Sequence, residues 1–119
     1  MVCDASFPTT LLTRWVGGAD GLSLERAVAK LSAEPADYIG FADRGRSVPD
    51  ALADINVIDL GRLALHPPRM VSDLPAGGRR LQQDADGYVA TIKRGVVIYR
   101  DGKPTGAHPG RLVRSGGLH

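Results

Sequence analysis

Residues Tyr88 to Pro104 read YVATIKRGVVIYRDGKP, two runs rich in Val, Ile, Tyr and Thr that are parted by Arg94-Gly95 and closed by Asp101-Gly102. A glycine after a polar residue supplies the positive φ of a two-residue turn, so the stretch predicts a tight β-hairpin. In its first run Val89, Thr91 and Lys93 alternate with Tyr88, Ala90 and Ile92. The second run, Val96 to Tyr99, is nearly continuous and predicts a strand covered on both faces. A lone hairpin is only marginally stable in water and needs a sheet neighbour. Ala53–Leu60, ADINVIDL, is the expected one, with Ile55, Val57 and Asp59 facing one way and Asn56, Ile58 and Leu60 the other.

Around this sheet the chain is punctuated by Pro and Gly. Asp84-Ala85-Asp86-Gly87 predicts a turn, Gly78–Gln83 a strand-like piece, and Leu65-His66-Pro67-Pro68-Arg69 an extended backbone. Lys103–Arg114 predicts an irregular surface tail. Toward the amino terminus the spacing turns helical. Leu11, Leu12, Trp15 and Val16 predict a short helix with Pro8 in its first turn, ending at Gly17-Gly18. Ser23 is a good N-cap for Leu24–Ala33, where Leu24, Ala27, Val28 and Leu31 form one apolar stripe. Pro35 predicts a third, shorter helix over PADYIGF, closed by Gly40 and Gly45. The fold class is therefore α+β, with helices over 1–42 and strands with loops over 43–119.

With 119 residues, 43% of them hydrophobic and 24% charged, one globular domain is expected. Aromatics are only 5%, against 15 Gly and 8 Pro, which predicts a small aliphatic core and many turns. The net charge of +2 is mild and the basic residues are scattered, so nucleic acid is not an expected partner. One cysteine, Cys3, permits no internal disulfide and favours a reducing compartment. The chain has neither a membrane-spanning apolar run nor a signal-peptide pattern, so the expected location is the cytoplasm.

Three segments in order, SLERAVAKLSAEPADYIGFADRGRSVP, ADINVIDL and VATIKRGVVIYRDGKPTGAHPGRLVR, resemble the carboxy-terminal end of the amidohydrolase superfamily, within it the N-acyl-D-amino-acid deacylase branch. The resemblance implies that the helices are the last outer ones of a metal-dependent (β/α)8 barrel. It implies that the Ala-Asp strand and the hairpin belong to a small β-sandwich shared with the beginning of the full-length chain. It also implies hydrolysis of an amide by water that one or two bound metals, usually zinc, activate.

The sequence departs from that family at the chemistry. The family holds its metal with a His-x-His, further mid-barrel histidines and an aspartate after the eighth strand. Here there is no His-x-His, and His66, His108 and His119 lie in Pro-rich loops or at the terminus without a carboxylate or cysteine at ligand spacing. Asp4 is the only residue near the place of the strand-end aspartate, but its Cys-Asp-Ala-Ser setting differs from the metal-binding motif, and Met1 is expected to begin downstream of it. No catalytic, cofactor-binding or metal-binding residue is assigned, and the chain alone is expected to be inactive.

The remaining polar clusters have plain readings. Cys3 beside Asp4 lacks a histidine to take its proton and reads as a bystander thiol. Gly77-Gly78-Arg79-Arg80 lacks the Lys-Ser/Thr of a phosphate loop and reads as a turn before a strand. Arg44 and Arg46, interleaved with Asp43 and Asp50, read as a solvated loop. Asp54 reads as a strand-start residue bonding nearby amides. The strand at Ala53 and the hairpin would be left bare on their own, so the chain is expected to self-associate or to pack on the barrel portion of the same enzyme. A weak anion- or nucleic-acid binder using the arginines is the alternative.

Overall fold

The computed structural model describes residues 6–17 and 21–114. Cys3, Asp4 and His119 lie outside the described residues. The order is α1 (Phe7–Thr10) running into a π-helical turn (Leu11–Trp15), α2 (Leu24–Leu31), α3 (Ala33–Ile39), then β1 (Ile55–Ile58), β2 (Ala64–Leu65), β3 (Arg69–Val71), β4 (Arg80–Gln82), β5 (Ala85–Asp86), β6 (Tyr88–Lys93), β7 (Val96–Arg100) and β8 (Lys103–Pro104). This is an α+β chain, helices first and antiparallel strands after.

The hairpin forms as expected. β6 and β7 pair antiparallel with Thr91 opposite Tyr99 and Lys93 opposite Val96. Arg94 (φ 52°) and Gly95 (φ 79°) both take the left-handed conformation of the turn type whose twist suits a hairpin. Asp101 and Gly102 repeat that conformation before β8. β1 joins the other side of β6, with Ile55 opposite Ile92 and Val57 opposite Ala90, giving one sheet in the order β1-β6-β7-β8. Two short ladders, β2 with β5 and β3 with β4, stand apart from it.

Ser23 caps α2 by accepting the Arg26 N–H at 3.2 Å. The helix stops two residues earlier than its spacing predicts, because Ser32 leaves the helical conformation (φ −133°, ψ −74°). Pro35 then falls within the first turn of α3, where its missing N–H costs no helical bond. Gly40 (φ 82°) closes α3, and Phe41 N–H donates back to the Ala36 carbonyl at 2.8 Å, a Schellman closure.

Two expectations are corrected. Asp84–Gly87 is not only a turn, since Ala85 and Asp86 form β5 and pair with Leu65 and Ala64. The second hairpin strand is not covered on both faces, since Val96 is 43% and Tyr99 45% exposed. The physical reason is the size of the interior: among the described residues nothing large is fully buried, and the buried apolar residues are Ala27, Ala36 and Ala90. Trp15 and Tyr38 stand 62% and 92% exposed. The helical part is tied to the sheet by a bond between Thr9, itself buried, and the hydroxyl of Tyr88 at 2.8 Å. No helix among the described residues is long and apolar enough to cross a membrane.

Candidate functional site

The densest set of charges gathers where β1 enters the sheet. Asp54 precedes β1 and lies beside the hairpin turn, where its carboxylate accepts the backbone N–H of Arg94 at 2.9 Å and a hydrogen bond from the Lys93 ammonium. Arg44, in the loop after α3, approaches the same carboxylate at 3.8 Å and grips Asp43 through two bonds of 2.8 and 3.0 Å. Its guanidinium carbon sits 5.2 Å from the centre of the Phe41 ring, within cation–π range. Burial opposes the charge on Asp54, but the Lys93 ammonium and the Arg94 amide outweigh it and hold the carboxyl below the usual carboxylate range. The bidentate bond from Arg44 does the same for Asp43.

This arrangement corrects two readings. Asp54 bonds no neighbouring amide to start its strand; it fastens a turn 40 residues later in the chain. Arg44 is no solvated loop residue, because only 14% of its side chain is exposed. Arg46 does lie at the surface, clamped to Asp37 at 2.7 Å through both nitrogens. In chemical terms the cluster is saturated. Both carboxylates face a cation, and among the described residues no hydroxyl, thiol or imidazole hydrogen-bonds to them, an arrangement that fastens elements together.

His66 is the candidate with a partner. Its Nε2 lies 2.9 Å from an Asp86 carboxylate oxygen, and this pair joins β2 to β5 at the surface. Nearby, Asp84 accepts from the Gln82 amide at 2.8 Å and from Arg69 at 3.1 Å, and these two together keep its carboxyl low. A histidine oriented by an aspartate is two parts of a nucleophile-activating set, and among the described residues no hydroxyl or thiol is bonded to the other imidazole nitrogen. Sequence spacing missed this pair, because residues 66 and 86 meet only through the β2–β5 register.

The glycine-arginine stretch is a closed loop. Asp73 receives Arg80 in a bidentate pair at 2.7 and 2.6 Å, and Gly78 N–H donates to the Pro75 carbonyl at 3.2 Å. Ala76 is held at φ 57° between them. The turn reading stands for residues 77–78, while Arg80 belongs to β4 and is already spent on Asp73. His108 is exposed in the tail. Among the described residues no three His, Cys, Asp or Glu side chains come together to hold a metal ion. A hydrolytic zinc therefore does not fit the donor set that these residues present.

The sequence model described as amidohydrolase family matches residues 1–99. The N-acyl-D-glutamate deacylase of Alcaligenes xylosoxydans xylosoxydans is 34% identical over 106 residues, covering 89% of this chain. That match spans 20% of the relative's length. No solved structure gives a significant match.

Proposed function

The chain belongs to the amidohydrolase family, and from that premise we propose that it is a scaffold portion of a deacylase that hydrolyses the amide of N-acyl-D-amino acids. In this reading residues 1–42 are the last outer helices of a metal-dependent barrel. Residues 43–119 are part of its accessory β-sandwich. The observation that carries the reading is the pairing of a 34% identity over most of this chain with coverage of only 20% of the deacylase. The bare apolar side chains support it, because Trp15, Tyr38, Val57 and Tyr99 are what a scaffold turns toward a body it packs on.

The residues' own chemistry points the same way. Asp54, Arg44, Lys93 and Asp43 fasten the helical loop to β1 and the hairpin turn. They hold a surface in shape rather than act on a substrate. The donor set for a hydrolytic zinc belongs, in this proposal, to the four-fifths of the deacylase that the match does not span, and with it the choice of acyl group and amino acid.

The test is a chimera. The segment of the N-acyl-D-glutamate deacylase aligned with this chain is replaced by these residues, and deacylation of N-acetyl-D-glutamate is assayed. Retained turnover, within about tenfold of the parent, is the expected outcome. A chimera that folds and binds its metal but has no activity would overturn the proposal.

A further inference from the structure

We draw no further inference here: the strongest candidate, the exposed apolar surface that Ile55 and Val57 present on β1 at the edge of the four-stranded sheet, carries nothing because no feature among the described residues shows what covers it.

Discussion

Asp54 shows how much one carboxylate does in a chain with so little core. It is the point at which the loop after α3, the start of β1 and the hairpin turn meet, through Arg44, its own backbone and the Lys93-Arg94 pair. Asp54→Asn keeps the shape and removes the charge, leaving a half-buried ammonium without its counter-ion. The expected cost is about 1–3 kcal/mol in denaturant unfolding at pH 7. Its pH dependence has a definite sign. The carboxyl is held below its ordinary value, so the folded state keeps the charge at pH values where the unfolded chain takes up a proton. The stabilisation is whole above about pH 5 and drains as pH falls through roughly 3.9 toward the lower folded value. The gap in unfolding midpoint between the parent and Asp54→Asn is therefore wider at pH 7 than at pH 3, and an equal gap at both would contradict this role. A second residue works in the opposite sense. Ala76 sits at φ 57°, a conformation that costs a residue with a Cβ roughly 1–2 kcal/mol. Ala76→Gly removes that strain at the expense of some chain entropy, and a net gain of about 0.5 kcal/mol is expected in the same assay.

Among the elements, the hairpin and its turns are legible in the sequence. Arg94-Gly95 and Asp101-Gly102 each present a polar residue and a glycine where positive φ is required, and β-branched runs flank them. The N-cap at Ser23 and the glycine closure at Gly40 were legible for the same reason: each is a local rule. What stayed hidden depends on residues far apart. The Asp54 latch, the His66–Asp86 pair and the Thr9–Tyr88 bond span 40, 20 and 79 positions, and no periodicity encodes such meetings. β5 reads as turn in the sequence because two residues, Ala85-Asp86, are too few to show alternation. Two substitutions test these joints. Tyr88→Phe leaves the buried Thr9 hydroxyl unmatched and should cost about 1 kcal/mol, with faster amide exchange over α1 as the distinguishing readout. Gly87→Ala is harsher, because a Cβ there would meet Leu63 Cα at 2.6 Å and φ is 92°. It should cost well over 1 kcal/mol, and near-parental stability would mean that Leu63 does not pack against Gly87 this closely.

At the scale of the molecule, the chain has secondary structure in quantity and little interior. Its radius of gyration is 16.2 Å, against roughly 13.5 Å for a compact chain of this length. Among the described residues the buried apolar ones are alanines, while the larger apolar side chains are half-buried or, like Trp15, Tyr38 and Tyr99, exposed. Composition points to a small aliphatic core, but not to the exposure of Val96 and Tyr99 in the hairpin, because apolar periodicity reports which faces are to be covered and not what covers them. Family membership and partial coverage of a deacylase support the proposal that these residues are scaffold and that an amide-hydrolysing centre is held elsewhere. The most direct measurement is an assay of the purified 119-residue chain with added zinc and N-acetyl-D-glutamate. The account predicts no turnover above buffer and no zinc retained after desalting, whereas hydrolysis that a chelator abolishes would contradict it.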